Sequence, residues 1–371
     1  MKQISKKIAI LCNLDSFANS IRPLEIKKYL ESKGHNVVLI NNTNIYKEPN
    51  NKKTSLTLIA TIQKLISKLN LSLVNFVDQK VNGWPYYFYL ILKLKIRSLM
   101  VTRILQREKY NVVICENNFQ AYVTLSNLNC ITILDIDSPY TDELYYTGKI
   151  SDKQRKMLNK IFNRVYSRAN YLNFQWYKYT EYVRENIYDG KNIVEINFGC
   201  TLKELSKKAE FNSKPRIICL GYLGGKWVNL PLLSSLSKIY QIDVFGGPPP
   251  DKKWGLNYKG YAPTTDVLKD YQFGLITISK DKLRRSSFSS KHLEYLSYGL
   301  PVLTPEWRQD SLLKDVSIYF NEDIFLNLIK KYSSQKKWQQ MSDACYKQAK
   351  EWNWEKVLEP LGDIISNIEV K

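Results

Sequence analysis

Apolar runs of strand length alternate with amphipathic stretches along the first half of the chain. Lys7–Cys12 (KIAILC) is a continuous apolar run. Ser20–Gly34 (SIRPLEIKKYLESKG) spaces Ile21, Leu24, Ile26, Tyr29 and Leu30 along a helix, and Gly34 supplies its stop. Asn36–Ile40, Asn111–Glu116, Ile131–Asp137 and Asn192–Asn197 read as further strands. Short apolar strands separated by amphipathic helices predict a parallel α/β sheet with helices on both faces.

The pattern restarts after a polar stretch, Leu202–Pro215. Strand Arg216–Gly221 (RIICLG) leads into a Gly-rich loop, a helix near Asn229–Lys238 and strand Gln241–Gly246. Strand Phe273–Ile278, a helix through Ser290–Gly299, and strands Pro301–Thr304 and Ser317–Phe320 follow. The linker is expected near residues 200–214. This division gives one domain over 1–205, a second over 206–350, and a closing helix over 351–371 within a helical tail that starts at Lys336.

One segment breaks the alternation. Gly83–Met100 (GWPYYFYLILKLKIRSLM) is dense in aromatic and aliphatic residues and then dotted with Lys93, Lys95 and Arg97. A bilayer span needs about 20 mostly apolar residues, and three cations in the second half argue against spanning. Two readings stand. A basic, aromatic-rich helix can lie in an anionic membrane interface. Alternatively the helix is buried and its lysines extend to solvent.

Composition narrows the class. The chain has 371 residues, 44% hydrophobic and 24% charged, so it can bury the cores of two or three domains. Lys plus Arg is 55 against 35 acids, a net charge of +20. That bias fits an anionic partner such as a phosphorylated substrate or an acidic membrane surface, and equally a lysine-rich coding bias. No helix-turn-helix, zinc-finger, basic-zipper or RRM-type pattern is present, so nucleic acid is not the expected partner. The six cysteines form no C-x-x-C pair, and several lie in apolar strand runs. They read as buried thiols in a reducing cytoplasm. The basic and then apolar start reads as a first strand, because no small-residue cleavage site follows it.

The most informative run is Ser286–Pro305 (SSFSSKHLEYLSYGLPVLTP). Ser289 and Ser290 are N-cap candidates for a helix. A helix start with hydroxyls and Lys291 beside it suits a pyrophosphate. Glu294 lies one turn after Lys291, on the same face, where it can accept from ribose hydroxyls. The plain alternative is an exposed Lys–Glu helix pair.

Here the sequence resembles a known group. K-x-x-E-Y-L-S-Y-G-L-P-V-L is similar to the nucleotide-binding helix of glycosyltransferases with the GT-B fold, such as the bacterial polysaccharide transferases that include the xanthan glucuronosyltransferase. The resemblance implies that Glu294 binds the donor ribose and Lys291 a donor phosphate. It extends to GYLGGKW (Gly221–Trp227), with Gly221, Tyr222, Gly224, Gly225 and Lys226 approaching the donor phosphates. It also extends to GLNYKGYAP, which includes Tyr261, in the segment that holds the base. KGHNVVLI resembles the family's first helix-to-strand turn, and EWNWEKV the start of its final helix. The implied architecture is two Rossmann-like domains facing across a cleft, the first binding the acceptor and the second the donor. The last helix crosses back to the first domain. The implied activity is transfer of a sugar from a UDP- or GDP-linked donor to a glycan or lipid-linked glycan. A cytoplasmic location is expected, peripheral at the inner face of the cell membrane if the basic helix after Gly83 lies on lipid. No separate cofactor is implied.

The sequence departs from the large retaining families, which carry two glutamates eight positions apart. Eight positions before Glu294 stands Ser286, with Arg284 and Arg285 nearby. An inverting reaction needs one base to deprotonate the acceptor and positive groups to stabilise the departing diphosphate. Only two histidines exist. His35 sits in a helix–strand turn, and His292 either touches the nucleotide or is solvated. A carboxylate is the better base. Asp135 and Asp137 close a strand, where α/β proteins bind ligands, and Asp137 is nearest the loop. Asp15, in the loop after the first strand, is a third candidate, with an N-cap role as its alternative. Scarce histidine and the lack of a D-x-D triplet in the second domain predict no metal ligand cluster.

The loop GYLGGK lacks both G-x-G-x-x-G and the P-loop pattern, which removes dehydrogenase and kinase readings. Its glycines still let backbone N–H groups approach phosphate. An epimerase or a phosphorylase of the same fold remains as an alternative reaction. The former lacks an evident acid–base histidine, and phosphorylases are usually much longer chains.

Overall fold

The computed structural model describes residues 4–14, 17–41, 80–116, 128–224 and 226–368. Asp15 and Gly225 lie outside the described residues. The chain divides into two compact units, unit 1 from Met1–Asn197 with Leu358–Lys371, and unit 2 from Phe198–Val357.

Unit 1 is built on a parallel sheet of β1 (Lys7–Cys12), β2 (Asn36–Asn41), β3 (Val112–Glu116), β4 (Ile131–Ile136), β5 (Tyr171–Phe174) and β6 (Ile193–Val194), in the order β2-β1-β3-β4-β5-β6. Its central strands are apolar on both faces because helices cover both. Ile8, Ile10, Val113, Ile114, Leu134 and Leu172 are fully buried. The helix Phe17–Ser32 ends where Gly34 takes φ 85°. The helix Asp152–Arg168 begins with a reciprocal cap between Ser151 and Gln154. The helix Glu359–Ser366 is tied into this unit by the buried Lys6, whose ammonium donates to the carbonyls of Ile365 and Ser366.

Two differences from the sequence reading have physical causes. The strand expected over Asn192–Asn197 closes after Val194. Beyond it, the Ile196 amide donates to the side chain of Asn173 at 2.7 Å, and the Asn173 amide returns a bond to the Ile196 carbonyl at 2.8 Å. A side chain there replaces the backbone partner. The helical tail is also broken into three pieces, Gln335–Glu351, Trp354–Val357 and Glu359–Ser366, the last of them opening with Pro360.

Unit 2 carries β7 (Ile217–Leu220), β8 (Ile242–Phe245), β9 (Asn257–Tyr258), β10 (Phe273–Leu275), β11 (Val302–Pro305) and β12 (Ser317–Phe320). They form a parallel sheet in the order β12-β11-β10-β7-β8-β9. The strand order reverses between β7 and β10, the position at which open α/β sheets bind ligands beyond their carboxyl ends. Asn229 caps the helix Leu230–Ile239 by accepting from the Leu232 amide at 3.1 Å.

Candidate functional site

The site in unit 2 is built at that switch point. β7 runs out into Gly221 and Tyr222, and β10 into Ile276 and Thr277. Between them lies a cavity of about 170 Å³ whose wall includes Trp227, Arg284, Ser289 and Lys291. A larger groove of about 960 Å³ lies at the opposite ends of β7 and β8, around Arg216 and Gln241. Its place at the amino ends of the strands makes it the weaker ligand candidate, whatever its size.

Glycines shape the loop. The Gly221 amide donates to the Phe245 carbonyl, and the Gly246 amide to the Gly260 carbonyl. Gly246 takes φ 145°, and a Cβ there would meet the Gly221 carbonyl oxygen at 1.6 Å. The loops after β7, β8 and β9 are thereby laid against one another. A Cβ on Gly221 would come within 3.9 Å of Cε of Lys291, so the loop backbone and the lysine stem are neighbours. The Tyr222 ring leans on Gly224 and Gly247, and Tyr222 and Tyr261 are both well exposed.

The helix Ser290–Ser297 starts after Ser289, which holds the N-cap position without a side-chain cap bond. Lys291 Nζ donates to Glu294 Oε1 at 2.9 Å. The other oxygen, Glu294 Oε2, is buried and has no hydrogen-bond partner among the described residues. One charged pair therefore offers a cation and an unsatisfied acceptor side by side. Tyr295 fixes this helix to the sheet: it is fully buried on Gly274 and accepts from the Leu220 amide at 2.8 Å. The structure thus gathers Gly221, Tyr222, Gly224, Ser289, Lys291 and Glu294 at one end of the sheet, with Tyr261 on the adjoining loop. Lys226 lies in the same β7–helix connection.

The sequence reading missed one residue of the cavity and misplaced another. Arg284 stacks its guanidinium over Trp227 at 4.5 Å and lines the cavity. His292, expected to touch a nucleotide or to be solvated, does not lie at the surface. It is buried, bonds Ser317 through Nε2 at 3.1 Å, and burial with the nearby Arg308 charge lowers its pKa to about 3. It is a core residue, as its spacing with the buried Tyr295 and Leu296 could have indicated.

In unit 1 the candidate acids lie at the carboxyl ends of β3 and β4. Glu116 and Asp135 are register partners across β3 and β4, and Asp135 and Asn173 across β4 and β5. All three are buried. Asp135 is engaged by Arg22 Nε at 2.6 Å and Arg22 Nη2 at 3.1 Å, and by the Asn173 amide at 2.6 Å. Glu116 is pushed well above the usual carboxylate range by burial and then by the Asp135 charge. Its Oε1 is buried without a partner among the described residues. Asp137 stands two residues on and is exposed on its solvent side. Desolvation of its carboxyl, with Asp135 adding charge repulsion, raises its pKa to about 6. Among the described residues no group of His, Cys, Asp and Glu side chains could hold a metal ion. The thiols of Cys12, Cys200 and Cys219 are pushed up to about 12, chiefly by burial, and are inert at neutral pH.

No protein-family model and no curated protein sequence matches the chain. Solved structures do. Sucrose-phosphate synthase from Thermosynechococcus elongatus aligns over 97% of this chain and 98% of its own, with a TM-score of 0.66 at 11% identity. The lipopolysaccharide outer-core galactosyltransferase WaaB, in its apo form, covers 97% of this chain and 99% of its own, with a TM-score of 0.60 at 13% identity. HepE from Anabaena, solved with UDP and glucose, covers 98% and 100%, with a TM-score of 0.59 at 8% identity. The fold is the GT-B fold of these glycosyltransferases, with two parallel sheets of six strands each among the described residues.

Proposed function

We propose that this chain is a glycosyltransferase that moves a sugar from a nucleotide-sugar donor to a hydroxyl of a glycan or lipid-linked glycan. The observation that carries the reading is the Lys291–Glu294 pair at a helix start beside the switch point of the unit 2 sheet. In this reading Lys291 and the backbone N–H groups of the helix start meet the donor diphosphate. The unsatisfied Oε2 of Glu294 accepts from a ribose hydroxyl, which supplies the partner that this buried oxygen lacks. HepE was solved with UDP and glucose, and a UDP- or GDP-linked donor is the class to test first.

Asp137 is the proposed base. It takes the proton of the acceptor hydroxyl as that oxygen bonds to the anomeric carbon. The bond from that carbon to the diphosphate breaks in the same step, and the configuration inverts. The charge on the departing nucleoside diphosphate falls on Lys291 and the helix start, so no metal step is required. Ser286, where retaining enzymes of the resembled group carry a glutamate, fits a single displacement. Titration calorimetry with UDP and GDP tests the donor site. Saturable binding that Lys291→Ala weakens supports the reading, and equal affinity in wild type and variant overturns it.

A further inference from the structure

The helix Gly83–Glu108 is apolar on both sides. Tyr86, Tyr87, Leu90, Leu94, Val101 and Leu105 are buried and form its inward face. A surface helix would ordinarily place charged or polar residues opposite. Here the outward face carries Trp84, Phe88, Leu92, Ile96 and Leu99, with Phe88 63%, Leu92 58% and Leu99 67% exposed. With successive residues about 100° apart, these five side chains fall within one arc of about 120° along four turns. The charges on that arc are all positive. Lys95 and Arg103 are exposed within it, and Arg107 borders it. No acidic residue occurs from Lys80 to Arg107. Lys93 and Arg97, which the interfacial reading of this helix would turn to lipid, lie toward the inward face, and Lys93 sits over the Tyr89 ring at 5.4 Å.

We infer that this outward face docks on an anionic lipid bilayer, with the helix lying in the interface plane. The helix is not long and apolar enough to cross a membrane, nor is any other among the described residues. Its exposed side instead has the composition of an interfacial anchor: aliphatic side chains at i, i+4 spacing, with an aromatic pair at one end. Trp84 and Phe88 stack there at 5.7 Å between ring centroids. Charge selects the partner. An apolar strip whose own charges are all cations complements a surface that is apolar beneath a layer of negative headgroups, and anionic lipid supplies both at the same depth. The inference stands apart from the sugar-transfer reading, because no residue of the strip belongs to the donor site or to the carboxylate cluster.

Vesicle flotation with the full-length chain is the test. Wild type should float with phosphatidylglycerol/phosphatidylcholine vesicles at low salt. It should not float with pure phosphatidylcholine, and binding should fall as salt is raised. Lys95→Glu with Arg103→Glu, and separately Leu92→Glu with Leu99→Glu, should each lower the partition coefficient by about tenfold or more. All four positions are exposed, so thermal unfolding should stay at the wild-type temperature. Donor binding by calorimetry reads unit 2 alone and stays unchanged in these variants, which separates this inference from the proposed function. Two results overturn the inference. One is wild-type protein that ignores anionic vesicles at low salt. The other is a Leu92→Glu/Leu99→Glu variant that floats like wild type. A wild-type dimer that the leucine variant splits, without any vesicle binding, assigns the strip to a second copy of the chain and also overturns it.

Discussion

Arg22 grips Asp135 from two directions, Nε to Oδ2 at 2.6 Å and Nη2 to Oδ1 at 3.1 Å, with both residues buried. The same guanidinium also donates to the carbonyls of Asn197 at 2.7 Å and Ile196 at 3.2 Å. One side chain from the first helix thus joins the end of β4 to the segment that leaves β6. Removing one member of a buried pair strands the other charge, which costs about 3–5 kcal/mol. Arg22→Met should therefore destabilise unit 1 by that order in a urea titration. Arg22→Met combined with Asp135→Leu should recover much of the loss. A single variant as stable as wild type would show that the pair contributes nothing.

A second expectation concerns the backbone of the loop after β7, the proposed donor loop. Gly246 holds a φ that L-residues disfavour, and its Cα faces the Gly221 carbonyl too closely for a side chain. Gly246→Ala should cost about 1–3 kcal/mol from the backbone strain, with the clash adding to it. Because the displaced neighbour is Gly221, nucleotide affinity should drop together with stability. Gly255→Ala serves as the control. It also has positive φ, but a Cβ there meets open space, so it should lose stability without losing affinity.

The donor pair gives the most direct binding prediction. Lys291→Ala should weaken nucleoside diphosphate affinity by about 1.5–3 kcal/mol, the range for a charged hydrogen bond. Glu294→Gln keeps the shape but removes the anion, and should weaken nucleoside binding more than free pyrophosphate binding. Calorimetry with UDP, uridine and pyrophosphate in each variant separates the two roles. Equal losses for all three ligands in both variants would leave the division of labour without support.

If lysine and the helix start carry the leaving-group charge, turnover should persist in excess EDTA. Loss of turnover there, restored by Mg²⁺ or Mn²⁺, would place a metal in the reaction.

Much of this architecture could be read from the chain because it rests on local signals. The central strands are uninterrupted apolar runs, and the helix at Ser290–Ser297 is framed by serines before it and by Gly299 after it. The Lys291–Glu294 contact follows from helical spacing alone. What escaped was lateral. β5 (Tyr171–Phe174) is four residues with Asn173 in its middle, too short and too polar to stand out. Its importance comes from register, which sets Asn173 beside Asp135 and Asp135 beside Glu116. A one-dimensional pattern does not say which strand ends become neighbours. The one available signal was that NVVICE closes an apolar run on a single acid, Glu116, much as ITILDID does on Asp135 and Asp137. Arg22, more than a hundred residues from its partner, left no local trace.

The last prediction turns on the difference between Asp135 and Asp137. Asp135 has both oxygens occupied by Arg22 and Asn173. Among the described residues, Asp137 has the Ser138 hydroxyl, at 3.4 Å, as its side-chain partner. Desolvation, helped by Asp135, raises its pKa to about 6. As the base, it is active when ionised, so kcat/KM should rise through about pH 6 and level off above it. Asp137→Asn should lower kcat by about 10²–10⁴ with little change in donor affinity, and should remove that rise. Stability should move the other way. A carboxyl whose folded pKa lies above its unfolded value binds its proton more tightly when folded. It favours the folded state below about pH 4 and opposes it once it ionises above about pH 6. Asp137→Asn should accordingly be more stable than wild type at pH 7.5, and the margin should shrink as pH falls toward 4. A variant that is both slower and less stable at pH 7.5 would give Asp137 a structural role instead. A product with retained anomeric configuration, read by proton NMR, would reject the single displacement whatever the pH profile shows.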